Sequence, residues 1–265
     1  MKKGIAASKG YAIGTVFIQE HEEIIISDAK VSDIAAEKEK LSKALAQSKE
    51  QLEAIKEKTA NEIGEHEAQV FEAHLMLLDD VEFTGQMEMT IENDQLNAMK
   101  AVQNVTDTFV MIFDSMDDPY MRERAADIKD VSKRIIANLA GKGGNGMENV
   151  GANTVVVAHD LTPSDTAQLD RSKVIGFLTN IGGRTSHSAI MARTLEIPAV
   201  VGLGDITTSV KNGDTVIVDG IEGVAIINPD EATINEYKAR LEKFKAEQEE
   251  LKLSLIHISE PTRPY

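Results

Sequence analysis

A run of residues from Thr179 to Arg193 combines two glycines, a pair of hydroxyl residues and a histidine, which together could bind and accept a phosphoryl group. The run reads TNIGGRTSHSAIMAR. A strand-like stretch precedes it, and good helix formers follow Thr185 or Ser186, either of which can cap a helix N-terminus. His187 is therefore expected in the first turn of a helix, where unpaired N–H groups and the helix dipole favour an anion.

The other side chains of this run fit the same chemistry. Gly182 and Gly183 remove side-chain bulk, so that backbone N–H groups can approach a phosphate closely. Arg184 or Arg193 would add a charge-assisted contact to phosphate oxygens, and Ser186 completes the predicted phosphate-binding set. The dipole keeps the imidazole neutral near neutral pH, which makes the histidine the candidate nucleophile. The alternative is an ordinary surface or capping histidine, and spacing alone does not decide between the two.

A resemblance to a known family favours the phosphohistidine interpretation. The stretch GGRTSHSAIMAR resembles the phosphohistidine signature of the phosphoenolpyruvate-utilising enzymes, which include enzyme I of the bacterial sugar phosphotransferase system and the dikinases. Residues 71–80 (FEAHLMLLDD) and 120–130 (YMRERAADIKD) resemble enzyme I in particular. The resemblance covers residues 1 to about 252 and corresponds to the amino-terminal half of enzyme I. That half carries a helical insert which docks the histidine-containing carrier protein HPr, and which the dikinases lack.

The resemblance implies roles for individual residues. His187 would be phosphorylated on Nε2, and Thr166 would hydrogen-bond to the histidine ring and hold its tautomer; on the residues alone, Thr166 is a capping or packing residue. HPr would dock on a mixed apolar and acidic face with one arginine: His74, Met76, Leu77, Asp79, Asp80 and Arg124. The phosphoenolpyruvate site, its Mg²⁺ and the homodimer interface would belong to a second half that this chain lacks.

These implications lead to a specific expectation. The chain should hold no cofactor or metal of its own, should be monomeric, and should exchange phosphate with HPr without being labelled by phosphoenolpyruvate alone. Two alternatives stay open. One is the phosphohistidine swivel domain of a pyruvate phosphate dikinase or phosphoenolpyruvate synthase relative. The other is a non-catalytic module that only binds HPr.

Composition narrows the possible partners. The 265 residues include 44 acidic and 28 basic side chains, for a net charge of −16, and no cysteine. This charge argues against nucleic acid and anionic membrane surfaces as partners and is compatible with a basic partner. Counting over residues 59–118 gives 14 Asp or Glu against one Lys, which makes that region the expected binding face. Without disulfides, a signal peptide or a long apolar run, a cytoplasmic protein is expected.

The hydrophobic pattern predicts an α/β phosphohistidine domain with an inserted all-α subdomain. Apolar spacing of three, four and seven predicts four helices, near residues 33–58, 68–83, 99–113 and 119–139. β-branched runs predict strands at 154–158, 174–179 and 215–219, and Thr162, Pro163 and Asp165 predict the start of a further helix. The predicted boundaries are 1–20 and 145–229 for the α/β domain, 21–144 for the helical HPr-binding subdomain, and 230–252 for a linker helix. Residues 253–265 match nothing expected there and are interpreted as a non-native tail, disordered or poorly packed.

Overall fold

The chain divides into two units, which we call the helical unit and the sheet unit. The computed structural model describes residues 1–19, 24–143, 150–170 and 172–258. The helical unit comprises residues 21–146 and 162–168, and the sheet unit comprises residues 1–20, 147–161 and 169–265. The prediction that residues 162–168 belong to the α/β domain is wrong, because this short segment packs within the helical unit.

Six helices make up the described part of the helical unit. They are α1 (Ile34–Glu62), α2 (Glu65–Asp79), α3 (Val81–Asp94), α4 (Ala98–Asp114), α5 (Pro119–Leu139) and the short α6 (Pro163–Ala167). The insert therefore has five helices where the sequence pattern predicted four. The predicted second helix ends early because Asp80 has an extended backbone and caps α3, accepting a hydrogen bond from the Glu82 N–H at 2.8 Å.

The helix ends follow local capping rules. Asp33 caps α1 by accepting the Ala36 N–H at 3.0 Å, and Asn97 caps α4 by accepting the Lys100 N–H at 2.9 Å. Gly64 separates α1 from α2 at φ 152°, a conformation that side chains disfavour. One core forms between the inward faces, with large fully buried residues from α1, α2, α3 and α5: Leu41, Leu52, Phe71, Phe83, Met87, Ile91, Ile128 and Ile135.

The sheet unit is built on one mixed sheet of eight strands. They are β1 (Lys2–Lys3), β2 (Ile5–Ser8), β3 (Tyr11–Gln19), β4 (Thr154–Ala158), β5 (Val174–Thr179), β6 (Ala199–Val201), β7 (Thr215–Asp219) and β8 (Val224–Ile227). Their order is β1-β8-β7-β3-β4-β5-β6-β2. The pairs β3–β4, β4–β5 and β5–β6 are parallel, and the remaining pairs are antiparallel. The β-branched runs predicted as strands at 154–158, 174–179 and 215–219 are confirmed.

Both faces of this sheet are covered, because successive strand residues point to opposite sides. On one face, Val156 and Phe177 pack with Ala189 of α7 (His187–Thr194). On the other, Val155 and Leu178 pack with Ile206 of α8 (Ile206–Ser209).

The last helix, α9 (Glu231–Ile258), is anchored to the sheet by aromatic contacts and one buried carboxylate. The Tyr11 ring lies 5.8 Å from the Tyr237 ring and 5.9 Å from the Phe244 ring, both edge-on. Asp219, fully buried at the end of β7, accepts the Tyr237 hydroxyl at 3.0 Å. Because the aromatic pair and the hydrogen bond lie within the first half of α9, that half is the fixed part of the helix.

The predicted linker helix is confirmed in place but is longer than expected. Its backbone is helical through Ile258, so the helix includes residues 253–258 of the predicted tail, and the poor packing of the tail stays a prediction. No glycine or proline interrupts the chain between Pro229 and Pro261, and leucine and lysine propagate a helix readily. The rest of the predicted tail, residues 259–265, lies outside the described residues.

Candidate functional site

The histidine-bearing loop lies at the edge of the sheet where three parallel strands end. β4, β5 and β6 pair in parallel, so the loops that follow Ala158, Thr179 and Val201 leave the same edge. Open α/β sheets place ligands at this edge because loop residues from neighbouring strands converge there. The run that the sequence singled out is the loop after β5 together with α7.

Asn180 holds this loop in place, although sequence reasoning gave it no role. Its backbone N–H bonds to the Ala158 carbonyl at 3.1 Å, and its side-chain carbonyl accepts the Thr207 N–H at 3.0 Å. Its amide nitrogen lies 2.8 Å from the Thr207 hydroxyl and 3.2 Å from His159 Nδ1. The loop start is therefore tied to the neighbouring strand and to α8. An asparagine just after a predicted strand was the available signal.

Gly182 and Gly183 have different structural roles in the loop. Gly182 has φ 120°, and a Cβ there would lie 3.1 Å from Ser186 Oγ, so both backbone and space favour glycine. A Cβ on Gly183 would meet no atom within 4 Å, which leaves open space beside that residue. The Gly183 carbonyl accepts the Ser186 N–H at 3.1 Å and the Ser186 hydroxyl at 2.8 Å, which closes the turn.

Ser186, rather than Thr185, is the N-cap of α7. Its Oγ accepts the Ala189 N–H at 3.3 Å and lies 3.0 Å from the Ser188 hydroxyl. His187 is consequently the first residue of α7, half-buried and in the first turn as predicted. The Ser186 hydroxyl is engaged in this local network, so its contact with a phosphate stays a prediction.

The two arginines of the run are also distinct. Arg193, at the end of α7, donates from Nη1 to the carbonyls of Ala7 and Arg184 at 3.0 and 2.9 Å. It therefore braces the backbone of the glycine loop. The Arg184 side chain is exposed and is the better placed of the two to contact an anion from solvent.

Thr166 belongs to the helical unit, near the end of α6. The predicted start of this helix is confirmed: Thr162 and Asp165 form a capping box, with Pro163 at the first position. The Thr166 hydroxyl donates to backbone carbonyls one turn back, at 3.0 Å from that of Pro163 and 3.2 Å from that of Thr162. Its predicted hydrogen bond to His187 stays a prediction.

His74 is the clearest correction among the predicted partner-binding residues. Its side chain is fully buried, so it cannot form part of an exposed docking face. The ring packs edge-on against Phe71, and Nε2 lies 3.2 Å from Asp127 Oδ1 of α5. The amphipathic pattern of α2 contains a histidine on its inward face because α5 supplies the carboxylate that makes burial possible.

The other predicted docking residues lie at or near the surface. Met76 is 66% exposed and Leu77 is half-buried, on the same helix as His74. Asp79 forms an ion pair with Lys49 of α1 at 2.7 Å, and Asp80 is the cap of α3. Both carboxylates therefore have structural partners already.

Arg124 is half-buried on α5, where its Nη1 lies 3.6 Å from Asp127 Oδ2. The same carboxylate faces the buried His74 ring. Arg124 is thus placed next to the carboxylate of the interior cluster, and its predicted contact with a partner stays a prediction.

Sequence reasoning missed further exposed apolar residues at one end of the helical unit. The Phe83 and Phe109 rings meet at 5.3 Å, so the start of α3 lies beside the end of α4. At this end Val81 is 81% exposed, Met111 71% and Ile112 48%. Methionines and aliphatic side chains left in water at one place are typical of a protein-binding surface.

Neither a metal-holding cluster of side chains nor a helix able to cross a bilayer occurs among the described residues. No group of three or more His, Cys, Asp or Glu side chains in those ranges is arranged to hold a metal ion. Among the helices that the structure describes, none is both long and apolar enough to cross a bilayer.

Comparison with known proteins assigns both units to one kind of protein. The family described as "PEP-utilising enzyme, N-terminal" matches residues 3–124, and the family "PEP-utilising enzyme, mobile domain" matches residues 150–223. The phosphoenolpyruvate-protein phosphotransferase of Enterococcus faecalis is 51% identical over 239 residues, covering 90% of this chain and 42% of that protein. The proteins of the same name from Listeria monocytogenes and Bacillus subtilis are 50% and 48% identical, each over 236 residues, 89% of this chain and 41% of theirs. The chain spans less than half the length of these relatives.

Solved structures agree with this assignment. An NMR solution structure of Enzyme I (nEIt) is 47% identical with a TM-score of 0.80, and the match covers 92% of this chain and 100% of that one. A structure described as the N-terminal domain of Enzyme 1 – Nitrogen matches with a TM-score of 0.60 at 24% identity, over 91% of this chain and 100% of that one. The second match is evidence for the fold alone.

Proposed function

The chain belongs to the enzyme I family of phosphoenolpyruvate-protein phosphotransferases, as its N-terminal part, and from that premise we propose that it accepts a phosphoryl group on His187 and exchanges it with HPr. The observation that carries the proposal is the position of His187, the first residue of α7 at the edge where parallel strands end. An anionic phosphoryl group is favoured there by the positive end of the helix dipole.

The proposed reaction transfers phosphorus between two imidazole rings. Nε2 of His187 attacks phosphorus in line with the P–N bond of phosphorylated HPr. A P–N bond forms on His187 while the bond to the carrier ring breaks, and the carrier ring leaves with its bonding electron pair. His187 loses a proton from its other nitrogen and the carrier ring gains one, so both rings end neutral.

Thr166 fits the role of tautomer selector in this proposal. Its hydroxyl hydrogen is already used on backbone carbonyls of α6, which leaves only lone pairs to face a ring nitrogen. An acceptor of this kind selects the tautomer with hydrogen on Nδ1 of His187 and leaves Nε2 free to attack. Gly182, Gly183 and Arg184 would hold the phosphate oxygens, with Ser186 keeping the turn closed.

HPr is the proposed partner of the exposed apolar end of the helical unit. We define the docking surface as Met76, Leu77, Asp79, Asp80, Val81, Met111 and Ile112, with Arg124 at its border. Its apolar centre would exclude water, and its carboxylates would complement a basic carrier. His74 contributes from the interior and not by contact.

Phosphoenolpyruvate and Mg²⁺ are assigned in this proposal to the part of enzyme I that the chain does not span. We accordingly propose that phosphoenolpyruvate with Mg²⁺ alone does not label the chain, that it acts in the cytoplasm, and that it is monomeric by itself. Efficient labelling of the isolated chain by phosphoenolpyruvate would contradict the first of these.

The proposed transfer is tested by incubating the chain with phosphorylated HPr and measuring acid-labile, base-stable phosphate on it. We expect label on the unmodified chain and none on His187→Ala. His66→Ala is the matched control, because His66 also lies in the first turn of a helix, α2, and is exposed. Label that persists in His187→Ala would overturn the assignment. Binding of HPr without any label on the unmodified chain would favour the non-catalytic binding module.

The docking surface is tested separately by binding. Met76→Arg places a cation in the proposed apolar centre, and we expect it to weaken HPr binding about tenfold or more. Met89→Arg is the matched control, since Met89 is 59% exposed on α3, eight residues along from Val81. Equal titration curves for both variants would place the docking surface elsewhere.

A further inference from the structure

The segment Thr162–Gln168 belongs to the helical unit and carries Thr166. The chain leaves the sheet unit after Leu161 and returns to it at Leu169. A five-residue helix such as α6 has no stability of its own, because nucleation costs more than a single turn returns. Its conformation must therefore come from its caps and from the helices that it touches.

Every backbone donor in the first turn of α6 has a partner. Pro163 has no N–H, the Asp165 N–H bonds to Thr162 Oγ1 at 3.2 Å, and the Thr166 N–H bonds to the Thr162 carbonyl at 3.1 Å. The remaining donor, Ser164 N–H, bonds to Asp130 Oδ2 of α5 at 3.2 Å. This hydrogen bond joins a side chain of the long helix α5 to the α6 backbone.

Asp130 is an unusual residue to find at that position. It is 5% exposed, in the interior beside His74, whose Nδ1 lies 3.9 Å from Asp130 Oδ2. Burying a carboxylate costs free energy unless charge and hydrogen bonds compensate. Arg134 of the same helix provides the charge: burial lowers its pKa, and the nearby carboxylates of Asp130 and Asp165 oppose that shift.

The Arg134 side chain is itself held from another helix. Its Nη1 donates to Gln51 Oε1 of α1 at 3.1 Å. Gln51 in turn donates to Asn138 Oδ1 at 2.9 Å. Residues of α1, α2 and α5 thus surround the Asp130 carboxylate and fix its position. Its hydrogen bond to Ser164 in turn fixes the first turn of α6.

We propose that Asp130 is a positioning residue for phosphoryl transfer: by accepting the Ser164 N–H it fixes the first turn of α6 and so orients the Thr166 hydroxyl. The inference rests on the proposed function. Thr166 is two residues beyond Ser164 and donates to carbonyls of the same turn. If the first turn of α6 loosens, the Thr166 hydroxyl can rotate away from the α6 carbonyls. It could then donate to the His187 ring as well as accept from it, and the tautomer of His187 would no longer be fixed.

The kinetic test uses the intact chain and four variants: Asp130→Ala, Asp130→Asn, Thr166→Ala and the double variant Asp130→Ala/Thr166→Ala. At saturating phosphorylated HPr, we expect Asp130→Ala to slow single-turnover transfer about ten- to a hundredfold, with unchanged affinity for HPr. Asp130→Asn keeps an acceptor oxygen and should recover part of the rate. In the Thr166→Ala background, Asp130→Ala should change the rate by less than about twofold. Equal losses in both backgrounds would overturn the proposal.

A second measurement is independent of the reaction. Hydrogen exchange of the Ser164 and Thr166 amides should accelerate about tenfold or more in Asp130→Ala and remain unchanged in Asp94→Asn, an exposed aspartate at the far end of α3. Unchanged protection in Asp130→Ala would overturn the anchoring step alone. Absence of label on the unmodified chain would overturn the proposed function, and the positioning role with it. If Asp130→Ala does not fold, the same two readings are taken on Asp130→Asn, with smaller expected changes in the same directions.

Discussion

Two buried aspartates, one in each unit, attach a segment to a scaffold in different ways. Asp219 lies at the end of β7 in the sheet unit, and Asp130 lies in α5 of the helical unit. Both accept backbone N–H groups, and both lie near an arginine. They differ in how completely their oxygens are satisfied.

Asp219 has donors on both oxygens. Its Oδ1 accepts the N–H groups of Ile221 and Glu222 at 3.1 and 2.8 Å, and its Oδ2 accepts the Tyr237 hydroxyl at 3.0 Å. Arg240 Nη1 lies 3.9 Å away and its guanidinium lies over the Tyr237 ring at 4.7 Å. A buried carboxylate with this many hydrogen-bond partners holds α9 rigidly against the end of β7.

Asp130 lies in a less complete network. It accepts one N–H at 3.2 Å, with His74 Nδ1 at 3.9 Å. Within the ranges the structure describes, three buried polar atoms around it have no hydrogen-bond partner: His74 Nδ1, Arg134 Nε and Ser164 Oγ. Unsatisfied buried polar groups lower local stability. We therefore expect Asp219 to attach α9 rigidly to the sheet, and Asp130 to attach the segment that carries Thr166 less rigidly to the helices.

The largest effect is expected from Asp219→Ala. The change leaves two N–H groups and a buried hydroxyl without their acceptor, and we expect it to lower the free energy of unfolding by about 3–5 kcal/mol. Urea denaturation measures this. Asp214→Ala is the control, since the Asp214 carboxylate accepts the Lys211 N–H in a half-buried turn.

Asp130→Ala should cost less, about 1–2 kcal/mol, because it removes one long hydrogen bond from a network that is already incomplete. The same denaturation experiment gives the comparison. If Asp130→Ala lowers the free energy of unfolding as much as Asp219→Ala does, the two aspartates do not differ in how rigidly they attach their segments.

Tyr237→Phe should lower the free energy of unfolding by about 1 kcal/mol at neutral pH, and the difference should depend on pH. Burial and the hydrogen bond to Asp219 raise the Tyr237 pKa from 10.0 to about 12. The folded state thus holds this proton more tightly than the unfolded state, so the stabilisation is complete below pH 10 and is lost as the pH rises towards 12.

Unfolding curves of the unmodified chain and of Tyr237→Phe, recorded from about pH 8 to pH 11.5, should therefore converge at the alkaline end. A constant difference across that range would mean that the hydroxyl proton is not held by Asp219.

The smallest effect is expected from Ser164→Ala. It removes a buried hydroxyl without a partner and keeps the N–H that bonds to Asp130, so stability should be unchanged or rise by up to about 1 kcal/mol. Thr162→Ala, which removes the cap of the same helix, should instead cost about 1 kcal/mol. Destabilisation by Ser164→Ala would show that its hydroxyl is satisfied in solution.

Local signals in the sequence predicted local structure well. The order Thr-Pro-Ser-Asp at 162–165 predicted the start of α6, and a serine before His187 predicted the start of α7. β-branched runs predicted the central strands. These features depend on neighbours within four residues, which is why a pattern in the sequence can identify them.

Features that depend on distant contacts were not predictable. His74 and Met76 are two residues apart on α2, yet one is fully buried and the other mostly exposed. Burial of His74 depends on Asp127, 53 residues further along the chain. Similarly, Asp80 ends α2 and caps α3. From the sequence alone, the pair Asp79-Asp80 could equally lie on the exposed face of one continuous helix.

The path of the chain also has a consequence for the order of folding during synthesis. The helical unit takes residues 162–168 from beyond the strand β4, so its core lacks Ala167 and the partner of Asp130 until that segment has been made. Before residues 162–168 leave the ribosome, α1 to α5 therefore lack the packing of Ala167 and the hydrogen bond from Ser164 to Asp130. Vectorial folding of this chain must then proceed through an incomplete bundle, and a fragment ending before residue 162 should behave as a looser protein than the same helices in the full chain.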